Sequence, residues 1–103
     1  MGAQAIKRGL PAMHPGELLR EDILPATGKA EEEIARLLGV SRQSLHDILE
    51  ERQPVTAPMA LRLGKLFGNG PMLWINLQKT YELEQAEAQL AEALRNIPTI
   101  DAA

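Results

Sequence analysis

Apolar residues along this chain fall into short clusters at helical spacing, cut apart by glycine and proline. In 15-PGELLREDIL-24, Leu18, Leu19 and Ile23 share one helix face; Pro15 suits the first turn and Glu17 the positive end of the dipole. The run 25-PATG-28 is expected to break that helix, because Pro25 disfavours helical geometry at Leu24. A second helix is predicted over about residues 30–38, with Ile34, Leu37 and Leu38 at helical spacing and a left-handed Gly39 ending it. Ser41 has the chemistry of an N-cap for a third helix, about 42–50, whose apolar stripe is Leu45, Ile48 and Leu49. Thr56 caps a fourth, with Pro58 just inside it. Met59, Leu61, Leu63, Leu66 and Phe67 supply its apolar content, and Gly68 and Gly70 mark its end. Pro71 opens a fifth, long helix that runs with one irregularity to about residue 95. Its apolar residues are Leu73, Trp74, Leu77, Tyr81, Leu83, Leu90 and Leu94. Pro98 closes it, and no segment alternates with the period of a strand.

The expectation is therefore an all-α single domain of five helices with an extended C-terminal helix, over residues 14–95. Residues 1–13 have no clear period and read as a loose arm; residues 96–103 read as a frayed tail. Composition agrees. Apolar residues make up 45% of the 103, enough to fold, and aromatics only 3%, so the core must be aliphatic, which favours helices.

Cysteine is absent, which excludes disulfides, thiolate metal sites and thiol catalysis. His14 and His46 stand far apart with no clustered ligand spacing, so neither a metal site nor any other cofactor is expected. His14, beside Pro15 and Gly16, reads as a capping or packing residue; no nucleophile or carboxylate pair accompanies it, and no enzyme activity is expected. Lys7 and Arg8 lack the apolar run of a signal peptide, and no window approaches the ~20 apolar residues that span a bilayer. A cytoplasmic protein, off the membrane, is expected.

The net charge of −3 is unevenly placed. Residues 1–66 carry nine basic and nine acidic side chains, whereas residues 67–103 carry two and five. A non-specific nucleic-acid binder would show a basic excess, so any DNA binding must rest on a few well-placed cations.

Such a placement exists. The second and third helices, joined by a three-residue turn that starts with glycine, have the spacing of a helix-turn-helix. Ala35 is small where the helices cross, and Leu45 and Ile48 dock the second on the first. Ser41, Arg42, Gln43, Ser44, His46 and Asp47 make up the polar side of the third helix, whose N-terminal end is the one that enters a major groove. Arg42 suits guanine O6/N7 and Gln43 adenine N6/N7, against phosphate contact or plain solvation. Ser44 suits a base or a phosphate. His46 reads as a base reader, a phosphate contact or a bystander. Asp47 either accepts from cytosine or orients Arg42 or His46. Arg52, Thr56 and Lys65 are candidate phosphate contacts, or simply solvated. The acidic runs 31-EEE-33 and 50-EE-51 are expected at the start of the supporting helix and the far end of the reading helix, away from the base-reading end.

The stretch from Ile34 to Leu66 resembles the five-helix domain of the lambda-repressor-like (XRE) class. The segments 14-HPGELLREDIL-24, 35-ARLLGVSRQSLHDIL-49, 59-MALRLGKLFG-68 and 71-PMLWINLQKTYEL-83 together resemble the HigA family of addiction-module antitoxins. The resemblance covers roughly residues 13–85, and its more specific part is the HPGE opening combined with W-x-N-L-Q-x-x-Y-x-L. It implies a homodimer that binds a palindromic operator in its own promoter and neutralises a HigB-like toxin, itself RelE-like and mRNA-cleaving. It assigns operator reading to Arg42, Gln43, Ser44, His46 and Asp47. Glu31–Glu33 stand where that family often has an uncharged polar residue. A stand-alone XRE-family regulator without a toxin, and a helical protein-binding module without DNA activity, are the competing readings. Trp74 and Tyr81, on one face, read as core and dimer seam. Trp74, Leu77, Tyr81, Leu83 and Leu90 are the expected dimerisation residues, because so long a helix cannot bury all its leucines on so small a domain.

Overall fold

The computed structural model describes residues 11–101, which form helices and connecting turns with no strand among them. The first helix opens as Pro15–Leu18, widens into a π-type turn over Leu19–Ile23 and resumes over Leu24–Thr27. Together these are α1. Then follow α2 (Glu31–Leu38), α3 (Arg42–Leu49), α4 (Ala57–Phe67), α5 (Met72–Gln89) and α6 (Ala91–Arg95). The expected arm falls largely outside the described residues; within them, the Ala12 N–H donates to Glu84 Oε1 at 2.9 Å.

Pro25 does not break α1. Leu24 keeps helical angles (φ −64°, ψ −44°) and donates its N–H to the Leu19 carbonyl, five residues back. In a straight α-helix the proline ring would collide with a carbonyl one turn earlier. The wider turn immediately before Pro25 takes the backbone out of that register. The helix ends three residues later at Gly28, whose φ of 69° is left-handed.

The remaining boundaries follow from local chemistry. Gly39 takes φ 76° and donates its N–H to the last turn of α2, and Val40 N–H reaches the Ala35 carbonyl at 3.0 Å. Ser41 Oγ accepts the Ser44 N–H at 3.0 Å, and Thr56 Oγ1 the Met59 N–H at 3.4 Å. The irregularity expected in the last helix lies at Leu90, between α5 and α6.

Leu19, Ile34, Ala35, Leu45, Leu63 and Trp74 form the centre of the core, each 0–2% exposed. Fully burying an aliphatic side chain of this size contributes about 1.5–3 kcal/mol. Two polar contacts flank it: Arg62 Nη1 donates to the Leu38 carbonyl at the end of α2, and Gln78 Oε1 of α5 accepts the Val55 N–H from the loop before α4, each at 2.7 Å. Beyond Gln78 no residue of α5 is buried, and the described residues extend 53 × 25 × 24 Å.

Candidate nucleic-acid interface

Burial orients the reading helix. Leu45, Ile48 and Leu49 of α3 are inside, so Arg42, Gln43 and Ser44 lie exposed at its N-terminal end, with His46 and Asp47 half-buried behind them. The far end of α3 is held by α1. Gly16 packs so tightly on the Ile48 carbonyl that a Cβ there would collide with it. Arg20 Nη1 donates to the Leu49 carbonyl at 2.5 Å and meets Glu51 Oε2 at 3.3 Å. Glu51 itself takes a left-handed φ of 62°, which turns the chain out of the helix.

The start of α1 is fixed in turn by His14. Its Nδ1 accepts the Gly16 N–H at 2.9 Å, and its ring stands edge-on to Tyr81, centroids 4.9 Å apart. An accepting Nδ1 requires a ring whose proton sits on Nε2. Burial pushes the His14 pKa below its ordinary value, against the opposing charge of Glu51 and a backbone hydrogen bond with Gln53. The HPGE opening is thus a helix start (His14, Pro15) joined to a close backbone approach at Gly16, which together seat α1 against the reading helix.

On α3 the polar side chains are organised in pairs. Asp47 Oδ1 accepts Gln43 Nε2 at 2.8 Å and Arg52 Nη2 at 2.9 Å. The Arg52 guanidinium and then the Gln43 amide hold the Asp47 carboxyl below the usual carboxylate range. The expectation that Asp47 orients Arg42 or His46 is therefore corrected. Gln43 precedes Asp47 by one turn and shares its face, whereas Arg42 and His46 point elsewhere around the helix. His46 instead meets Glu31: Nδ1 lies 2.9 Å from Glu31 Oε2, across α2 and α3. Ser41 and Ser44 hydroxyls bond to each other at 2.8 Å.

The acidic run is also closer than its sequence position suggested. Glu32 and Glu33 line a cleft with Arg36 and Arg42, and Glu33 pairs with Lys29 (3.7 Å) and Arg36 (3.5 Å). The start of α2 lies beside α3 because the two helices cross, so Glu31–Glu33 flank the reading face rather than standing off from it. A second open cleft is lined by Arg42, Gln43 and His46. Arg52 joins this group through Asp47. Thr56 is exposed at the cap of α4, and Lys65 lines a separate cleft with Leu37, Leu61 and Arg62.

Of the expected dimerisation residues, Trp74 is corrected. It is 0% exposed within one chain, and its indole N–H donates to Asn69 Oδ1 at 3.1 Å, so it has no surface left for a partner copy. Leu77 is partly buried against the core and Tyr81 half-buried against His14, whereas Leu83 and Leu90 are 60% and 49% exposed. Among the described residues no cluster of three or more His, Asp or Glu has metal-binding spacing, and no helix is long and apolar enough to cross a membrane. Linear reasoning missed Glu31 as the partner of His46, and Arg20 and Arg62 as caps. Each contact joins residues 15 or more positions apart, and no short-range signal marks it.

No protein-family model matches the chain. It is 40% identical over 87 residues to virulence-associated protein I of Dichelobacter nodosus, covering 84% of this chain and 81% of that protein. Among solved structures it is similar to antitoxin GraA in complex with its operator, at 36% identity and TM-score 0.82, covering 91% of this chain and 95% of that one. It is likewise similar to Pseudomonas aeruginosa antitoxin HigA with the higBA promoter, at 34% identity and TM-score 0.80, covering 85% and 96%. With 34–36% identity and a shared fold over most of its length with such proteins, the chain belongs to the HigA family of helix-turn-helix antitoxins.

Proposed function

We propose that this protein is a homodimeric repressor and antitoxin, which binds a palindromic operator in its own promoter and neutralises a HigB-like, RelE-like mRNA-cleaving toxin. The observation that carries the DNA half is the exposed N-terminal end of α3. It presents Arg42, Gln43 and Ser44 with no carboxylate on that helix before Asp47, and proteins of this fold at 34–36% identity are bound to operator or promoter DNA. In this reading Arg42 reads guanine and Gln43, steadied by Asp47, reads adenine. Ser44 and His46 complete the base-facing set, and Ser41, Arg52, Thr56 and Lys65 serve the backbone. One module offers too little surface for tight specific binding; a two-fold dimer doubles it and reads half-sites about one DNA turn apart. The exposed Leu83 and Leu90, with Leu77 and Tyr81 at the edge, supply the dimer surface.

Two measurements test this. A gel shift with the chain's own upstream DNA should give a specific complex at moderate salt. No shift at low salt from folded dimer would leave only a protein-binding helical module. Co-expression with the product of the adjacent gene, followed by pull-down, should capture a small toxin whose growth arrest the chain relieves. A specific DNA complex without any such partner would make the protein a stand-alone XRE-family regulator.

A further inference from the structure

Glu31 Oε2 lies 2.9 Å from His46 Nδ1, a polar side-chain contact that ties the supporting helix to the reading helix. Both groups are partly screened from water, with side-chain exposures of 25% and 41%. A carboxylate only accepts, so this geometry requires the proton of the imidazole to sit on Nδ1. In the neutral ring the other nitrogen, Nε2, is then a bare acceptor. His46 shares the open cleft on the reading face with Arg42 and Gln43.

We propose that Glu31 is a positioning residue for DNA reading. It fixes the Nδ1–H tautomer of His46 and so makes the ring an acceptor toward the major groove. This rests on the proposed operator-binding function and adds a specificity to it. An acceptor at Nε2 favours a base-edge amino group, cytosine N4 or adenine N6. It disfavours guanine, whose major-groove edge carries acceptors only, and it gives nothing to a phosphate oxygen. The two neighbours on the helix have the opposite character: Arg42 is donor only, and Gln43 has one amide hydrogen committed to Asp47 and its carbonyl and other hydrogen free. The reading face would thus present donor, mixed and acceptor groups in turn, a pattern that a random set of polar side chains does not hold in place. The carboxylate has a second consequence. Flanking negative charge weakens attraction to the phosphates, so the same residue raises base discrimination and lowers background affinity.

The test has a readout that does not depend on DNA. Long-range proton–nitrogen NMR spectra of the full chain at pH 8 should show His46 with its proton on Nδ1. Glu31→Ala should shift the ring toward the Nε2–H form that histidines ordinarily prefer in water, and Glu31→Gln, whose amide oxygen still accepts, should largely restore Nδ1–H. Glu32→Gln makes the same charge change beside an untouched pair and should leave the tautomer as it is. An Nε2–H ring in the unaltered protein, or one indifferent to Glu31→Ala, overturns the proposal. The DNA arm substitutes each base of the half-site in turn. Glu31→Ala should flatten the preference at one amino-bearing position by tenfold or more and leave the Arg42-dependent position unchanged. A uniform change across all positions, equal to that of Glu32→Gln, would mean that Glu31 acts through charge alone and would also overturn the proposal. Failure of the unaltered chain to bind its upstream DNA specifically would sink the operator-binding reading instead, a result the NMR arm is independent of.

Discussion

Gly16 rests on the carbonyl oxygen of Ile48, with no room between them for a methyl group. The contact joins the first turn of α1 to the last turn of the helix that carries the polar reading face. Gly16→Ala must therefore move backbone against backbone, since neither partner is the end of a flexible side chain. It should destabilise the fold by about 1–3 kcal/mol in urea titrations and weaken operator binding beyond what the loss of folded protein explains. Unaltered stability would mean that α1 is free to shift and does not seat α3.

Arg42 is exposed and next to the cap of α3. If it reads a base, Arg42→Ala should cost roughly 1–3 kcal/mol on the operator and distinctly less on random DNA of the same length. Equal losses on both, by fluorescence anisotropy at matched salt, would make Arg42 a phosphate contact.

His14 ties stability to pH. Its Nδ1 lone pair caps α1, and burial depresses its pKa, so the folded chain binds fewer protons than the unfolded one as pH falls. The contribution is fully present above the unfolded value of about 6.5 and is lost as pH falls through that value toward the lower, folded one. The urea midpoint should decline from pH 7.5 to pH 5. In His14→Asn, which keeps a cap acceptor and removes the titration, the decline should be shallower. Parallel declines in the two proteins would assign the effect to other groups.

Leu83, on the part of α5 that has left the core, and Leu90, at its C-cap, are both exposed. The double change Leu83→Glu with Leu90→Glu should leave the helical content by circular dichroism intact, turn the sedimenting species into a monomer, and reduce operator affinity at least tenfold. A variant that remains dimeric would move the interface elsewhere.

Much of this architecture was legible in order along the chain because its signals are local. Ser41 and Thr56 accept N–H groups three residues ahead, and Gly39, Gly28 and Gly68 end helices in the left-handed region. The apolar stripe Leu45, Ile48 and Leu49 fixed which side of α3 is hidden, and thereby which polar residues face outward. Such features depend on neighbours within one turn, and one turn is what spacing reports.

What the tertiary structure decided depends on residues far apart. Periodicity placed Leu37 and Leu61 among the apolar content of their helices, yet they are 45% and 62% exposed, because the stripe is wider than the surface that covers it. Trp74 shared a face with Tyr81, but only packing beside Phe67 and Asn69 put it wholly inside one chain. Pro25 carried a strong local breaking signal, and a π-type turn, invisible in the residue types, let α1 run through it. The largest change concerns Glu31. Read alone, it is a carboxylate at a helix start; the crossing of α2 over α3 sets it on His46. Sequence determined which polar residues line the outer side of α3, and the packing of α2 on α3 decided that one of them, His46, is held by a partner from the other helix.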